Sequence, residues 1–134
     1  MAHAADPDLT GLHVLVLDDN EDARAILDGY LTHLGALVTA ASSAGEALDA
    51  LKKIHADVIV SDLSMPGLDG HHFLQRVRAC PGQKEQPTPA IALTGFGEQA
   101  QREQAWRSGF QAYMVKPIDP AMVAQEIAEL VQPP

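Results

Sequence analysis

The chain has 134 residues, 46% of them hydrophobic, and a formal net charge of −9 at pH 7. That length suits one domain with a real core, the apolar fraction excludes a disordered chain, and no run of about 18 apolar residues is present to span a membrane. The acidic balance argues against direct nucleic-acid binding, because no basic patch is available to meet phosphates. With no signal-peptide pattern and a single cysteine, Cys80, the expected setting is the reducing cytoplasm, without membrane attachment.

Residues 1–10 (MAHAADPDLT) show no apolar period and are expected to form a flexible N-terminal arm. His13 to Leu17 (HVLVL) then reads as a first strand, ending at Asp18-Asp19. Acids from Asp19 to Asp22 suit a helix start. Ala23, Ile26, Leu27, Tyr30, Leu31 and Leu34 repeat at three and four, which predicts an amphipathic helix closed by Gly35. Leu37 to Ala41 reads as a second strand. Ser42 or Ser43 caps a second helix that shares Ala44, Ala47, Leu48, Leu51 and Ile54 on one face.

Val58-Ile59-Val60 is β-branched and continuous, the pattern of a strand covered on both faces, and it runs into Asp62. Met65-Pro66-Gly67 must break it. Phe73, Leu74 and Val77 face one way on a helix from about Gly70 to Ala79, and Cys80 to Pro89 is an unusually long loop. Ala90 to Leu93 is a fourth apolar run, ending at Thr94-Gly95. The next helix, about Glu98 to Ser108, has only Ala100, Ala105 and Trp106 to bury. Ala112 to Val115 is a fifth strand, ending at Lys116-Pro117. A last helix from Asp119 carries Met122, Val123, Ile127, Leu130 and Val131 on one face.

Five strands alternating with five helices predict an α/β fold with a doubly wound five-stranded parallel sheet. Right-handed crossovers place every strand's carboxyl end on one edge, where such folds keep their chemistry. The residues gathered there are Asp18 and Asp19 after the first strand, Asp62 after the third, Thr94 after the fourth and Lys116 after the fifth. Each alone has a bland reading as a turn former, helix cap or solvated lysine. Together they change it: three carboxylates at one point repel one another unless a cation joins them, and Mg²⁺ suits an all-oxygen donor set. A lysine and a hydroxyl beside that ion describe a place to stabilise a phosphoryl group, with Asp62 as nucleophile. His71-His72 diverge by about 100° on a helix and cannot share one ion, so both are read as solvated or partly packed. Cys80 and Trp106 are read as packing residues.

The blocks LVLDDNEDAR (15–24), SDLSMPGLDGHHFLQRVR (61–78), IALTGFGEQ (91–99) and SGFQAYMVKPID (108–119) resemble, in order and spacing, the receiver domains of two-component response regulators. The resemblance covers residues 11–131, leaving 132–134 as a C-terminal tail. It implies a flavodoxin-like three-layer α/β/α arrangement with strand order 2-1-3-4-5. It also implies a phosphoacceptor signalling domain rather than an enzyme with its own substrate, receiving a phosphoryl group from a histidine kinase or a histidine phosphotransfer protein. Asp62 is then the phosphoacceptor. Asp19 and Asp62 ligate Mg²⁺ with the backbone carbonyl of Ser64, and Asp18 acts through water. Thr94 is the switch hydroxyl, Lys116 contacts the phosphoryl oxygens, the Lys116–Pro117 bond is cis, and Tyr113 is the aromatic switch. The face built by the fourth helix, fifth strand and fifth helix is expected to change on phosphorylation and to meet a downstream protein or domain, with a phosphorylation-linked homodimer a further option. The LTGFG and SGF blocks look like those of hybrid histidine kinases. The alternative from the residues is a Mg²⁺-dependent phosphohydrolase with an aspartyl nucleophile, which would want a second Asp where Ser64 stands.

Overall fold

The computed structural model describes residues 6–64, 69–95 and 99–131. Its elements alternate throughout: β1 (His13–Leu17), α1 (Glu21–His33), β2 (Leu37–Ala41), α2 (Ala44–Leu51), β3 (Val58–Asp62), α3 (Gly70–Arg78), β4 (Ala90–Thr94), α4 (Gln99–Ser108), β5 (Ala112–Val115) and α5 (Pro120–Leu130). All strand pairings are parallel, and the sheet order is β2-β1-β3-β4-β5. The order reverses at β1, so the carboxyl ends of β1 and β3 flank the crevice that doubly wound sheets use for ligands. β3 and β4 run one or two residues further than their apolar stretches suggest, so Asp62 and Thr94 are themselves the last residues of their strands.

Alternate strand residues serve opposite faces, which is why the central strands read as unbroken apolar runs. Leu15, Leu17, Ile59, Ala90 and Ala92 join Ala44 and Ala47 of α2, Phe73, Leu74 and Val77 of α3 and Ala105 of α4 in one core. Val14, Val16, Val58, Val60, Ile91 and Leu93 join Leu27 and Leu31 of α1 and Val123, Ala124 and Ile127 of α5 in the other. Side-chain oxygens of Asn20, Ser43, Asp69 and Asp119 cap the helices α1, α2, α3 and α5. Gly35 and Gly109, at φ 102° and 108°, end α1 and α4 in the left-handed region that glycine enters without strain.

Several side chains lie elsewhere than their spacing suggests. Ile26 is 62% exposed and Met122 58% exposed, because each sits on the shoulder of a helix whose buried row is only one or two residues wide. Trp106 is 54% exposed: Ala105 and Ser108 already fill the narrow strip of α4 that meets the core. Cys80 is exposed in a turn after α3 and does not pack. Leu9, within the segment read as a flexible arm, is fully buried in the α1/α5 core, and its N–H donates to the Leu34 carbonyl at 2.9 Å. The turn at Met65-Pro66-Gly67 lies outside the described residues.

Two side chains, Arg78 and Gln83, tie down the long α3–β4 connection. Arg78 donates to Gln83 Oε1 at 2.7 Å and to the Gly109 carbonyl at 2.7 Å, and Gln83 in turn bonds both the Thr88 hydroxyl and the Thr88 N–H at 3.0 Å. A loop that looks unstructured in sequence is thus tied to the end of α4.

Gly70 opens α3 against the end of β3. A Cβ there would overlap the Asp62 carbonyl oxygen and press on Leu63, both backbone or core groups that cannot step aside. Gly70→Ala is expected to destabilise the fold by about 1–3 kcal/mol, the usual cost of overpacking, read as a lower urea midpoint at unchanged slope.

Candidate phosphoryl and cation site

Register delivers the site. β1–β3 pairing sets Leu17 against Ser61, so Asp18 follows at the level of Asp62. β3–β4 pairing sets Asp62 against Leu93, with Thr94 next, and β4–β5 pairing sets Thr94 against Val115, with Lys116 next. The Lys116 N–H donates to the Thr94 carbonyl at 2.6 Å, extending that ladder by one residue. A one-residue slip anywhere would turn these groups to the wrong face.

Asp18 and Asp62 are 3% exposed, whereas Asp19 is exposed, and ligand oxygens of all three lie within 4.8 Å of one another. Lys116 Nζ donates to Asp62 Oδ2 at 3.1 Å and stands 3.8 Å from Asp18 Oδ2. Asp62 Oδ1 accepts the Ser64 N–H at 3.1 Å. Asp18 Oδ1 accepts the Asn20 N–H at 2.9 Å, and the Asp18 carbonyl accepts from Arg24 Nη1 at 2.9 Å. Burial pushes the Asp18 carboxyl above the ordinary carboxylate range, and the charges of Asp62 and Asp19 push it further. The Asn20 N–H and the Lys116 ammonium oppose them. Thr94 is buried at the end of β4, and the Lys116–Pro117 peptide bond is cis. Tyr113 is half-buried on β5, with the Arg102 guanidinium over its ring.

The donor set fits a hard divalent cation. It is all oxygen, with no sulfur or imidazole, and one ammonium against three carboxylates leaves two negative charges to neutralise. An open cleft of about 330 Å³ adjoins it, lined by Asp18 and Lys116 and by the apolar Ala23, Ile26, Pro117 and Ile118. The exposed Ile26 therefore faces the approach to the site.

Sequence reasoning places Asp18, Asp19, Asp62, Thr94 and Lys116 at one edge, and the structure brings the three acids and the lysine into contact distance. Sequence reasoning does not reach the roles of Asn20, Arg24 or the N–H of Ser64, which the structure adds. Asn20 carries a sequence signal, as an Asx residue before Glu21-Asp22 at a helix start; the amide of Ser64 carries none. His71 differs from its reading as a solvated or partly packed residue. It is 4% exposed, with Nδ1 3.2 Å from the Ser108 hydroxyl and Nε2 without a partner among the described residues. The neighbouring His72 is exposed and meets the Asp69 carboxylate at 3.0 Å.

The family model described as response regulator receiver domain matches residues 14–128. The chain belongs to the receiver-domain family. This receiver is 42% identical over 124 residues to an uncharacterized 14.6 kDa protein of Leptolyngbya boryana, covering 92% of this chain and 90% of that one. It is 33% identical over 119 residues to the transcriptional regulatory protein ResD of Bacillus subtilis, covering 89% of this chain and 48% of that one. The receiver thus spans about half the length of the curated transcriptional regulators it matches, for which the covered share runs from 45% to 48%. Among solved structures, the chemotaxis response regulator CheY4 of Vibrio cholerae superposes at TM-score 0.80 with 30% identity, covering 91% of this chain and 99% of that one. As a receiver, the chain is a phosphoacceptor module of two-component signalling. Among the described residues no helix is long and apolar enough to cross a membrane.

Because the folded state raises the Asp18 pKa, its ionisation favours the unfolded chain. The stability this group contributes is fully present below the ordinary carboxylate range and is lost as pH rises through the folded value. Asn at position 18 can still accept the Asn20 N–H. Asp18→Asn is therefore expected to raise the urea midpoint at pH 7 in a chelating buffer, with the gain closing as pH falls to the ordinary carboxylate range. An unchanged or lower midpoint at pH 7 would contradict this account of the site.

Proposed function

We propose that Asp62 is the phosphoacceptor and that Asp18, Asp19 and Lys116 form the charge environment in which a histidine kinase or a histidine phosphotransfer protein donates to it. The observation that carries this reading is the contact of Lys116 Nζ with Asp62 Oδ2 at 3.1 Å beside two further carboxylates. In the transfer, an Asp62 carboxylate oxygen forms a bond to phosphorus as the phosphorus–nitrogen bond of the donor's phosphohistidine breaks. The imidazole nitrogen keeps the electron pair.

Each residue then has a task. Lys116, held by its pair with Asp62, turns to the incoming phosphoryl oxygens and offsets their charge. The Ser64 N–H fixes the Asp62 carboxylate so that its other oxygen faces the crevice. Asp19 and Asp62 directly, Asp18 through water and the Ser64 carbonyl would hold Mg²⁺, which supplies charge neutralisation and phosphoryl orientation when bound. The apolar cleft at Ile26, Pro117 and Ile118 receives the donor protein beside the site.

Phosphorylation adds about −1.5 to −2 units of charge at Asp62. Thr94, at the end of the adjacent strand, moves toward that charge and draws the β4–α4 connection with it. Tyr113 follows, and the α4–β5–α5 face changes for a downstream partner or a second copy. The weak anchoring of α4 supports this, since elements that move are drawn from the low-stability end. The setting is cytoplasmic, where the donor kinase keeps its catalytic domains.

The test is intact-mass measurement after incubation with Mg²⁺ and acetyl phosphate. Wild type is expected to gain one acid-labile phosphoryl group, and Asp62→Asn none; an adduct on both would place the acceptor elsewhere. In the same preparation Thr94→Ala is expected to take up the phosphoryl group but lose the change in Trp106 fluorescence, since Trp106 is the only tryptophan and stands exposed on α4. A full fluorescence response in Thr94→Ala would break the proposed coupling.

A further inference from the structure

Among its described side chains, few bury α4 against the body of the receiver. Of residues 101–108, only Ala105 and Ser108 are buried. Ala105 enters the α2/α3/α4 core, and Ser108 takes the hydrogen bond with His71. A third tie among the described side chains of the helix is Arg102, whose guanidinium lies 5.2 Å from the centroid of the Tyr113 ring. The other arginine of the helix, Arg107, reaches Glu103 at 3.5 Å and so serves α4 itself.

The position of that third tie matters. α4 follows Thr94 after a short connection, and Tyr113 lies on β5 three residues before Lys116. Tyr113 is half-buried against the same core as Ala105. The Arg102–Tyr113 contact therefore joins the helix downstream of the proposed switch hydroxyl to the strand that delivers the proposed phosphoryl-binding lysine. A cation over an aromatic face is attracted by the ring quadrupole, and it loses that attraction when either partner turns away.

We propose that Arg102 is a positioning residue for the switch, its guanidinium holding the Tyr113 ring and α4 together in the unphosphorylated arrangement. This rests on the reading of Asp62 as phosphoacceptor and of Tyr113 as the aromatic that follows Thr94. A two-state element responds only to interactions that differ between its states, and the Arg102–Tyr113 contact supplies one that belongs to the resting state. Movement of the start of α4 toward a phosphorylated Asp62 carries Arg102 off the ring and removes one contact that holds Tyr113 in its resting position. Arg102 is exposed, so the contact has the weight of a surface cation–π pair, about two- to fivefold in the equilibrium between the two arrangements.

The experiment uses fluorine NMR of 3-fluorotyrosine in a Tyr30→Phe background, which leaves Tyr113 as the only tyrosine. The parent, Arg102→Met and Arg102→Lys are each compared with and without Mg²⁺ and beryllofluoride, and each is labelled with acetyl phosphate and followed by intact mass. Met keeps most of the side-chain length and loses the cation; Lys keeps the cation. Arg102→Met is expected to move the resting Tyr113 signal toward its beryllofluoride position, about two- to fivefold in population, and to quicken labelling by a similar factor. Arg102→Lys is expected to remain near the parent. A Met variant indistinguishable from the parent overturns the proposal, as does a Lys variant that behaves like Met, since the effect would then belong to the shape of the arginine and not to its charge. If the parent itself takes up no phosphoryl group, the phosphoacceptor reading falls and this proposal with it, a result distinct from labelling in every variant with an unmoved tyrosine signal.

Discussion

Placing carboxylates side by side at the end of a buried strand costs free energy, and the arrangement around Asp62 is organised by how that cost is met. Two unit charges about 5 Å apart repel by on the order of 3 kcal/mol at an effective dielectric near 20. Here Asp18 and Asp62 are both buried, with Asp19 beside them. One lysine, a third exposed, meets Asp62 and comes near Asp18, and backbone amides of Ser64 and Asn20 each hold one oxygen. The compensation is incomplete: burial first, and then the charges of Asp62 and Asp19, hold the Asp18 carboxyl above the ordinary carboxylate range. A site left short of positive charge is suited to accept a cation and then a phosphoryl group whose charge that cation balances.

The fold makes this concentration of charge tolerable. Its central strands are dry on both faces, and the two cores are complete without any contribution from the site. β3 is buried along its whole length and carries Asp62 as its last residue, so the carboxylate is fixed by a fully packed strand. The responsive parts lie at the margin: β5 is an edge strand of largely intermediate burial, and among the described side chains of α4 only Ala105 enters the core. Rigidity at the acceptor and looseness at the reporting surface are the two conditions a switch of this kind needs.

Most of the architecture is legible in the sequence because parallel strands and amphipathic helices leave strong periodic signals. All five strands and five helices are present in the order the patterns place them, although α2 ends at Leu51, short of the Ile54 that its spacing includes, and Asp18, Asp19, Asp62, Thr94 and Lys116 are read from strand ends alone. The family resemblance supplied the strand order. What escapes is whatever depends on the width of a buried stripe or on backbone atoms. Ile26 and Met122 fit the helical spacing yet lie beyond the edge of the buried row. Trp106 is apolar enough to be read as core, but the strip of α4 that meets the body is already filled by Ala105 and Ser108. His71 reads as polar, and its burial is a tertiary fact set by α4 packing over α3. The amide of Ser64 is invisible because an N–H belongs to every residue but proline.

The central claim is that these residues form one site, in which Asp62 takes the phosphoryl group and the other acids and Lys116 manage its charge. A crystal structure of the receiver grown with Mg²⁺ and beryllofluoride tests it most directly. The account predicts beryllium on an Asp62 carboxylate oxygen, Mg²⁺ on Asp19 and Asp62, and Lys116 Nζ turned from Asp62 Oδ2 to a fluoride. Beryllofluoride on another residue, or Mg²⁺ bound away from the three carboxylates, would contradict it.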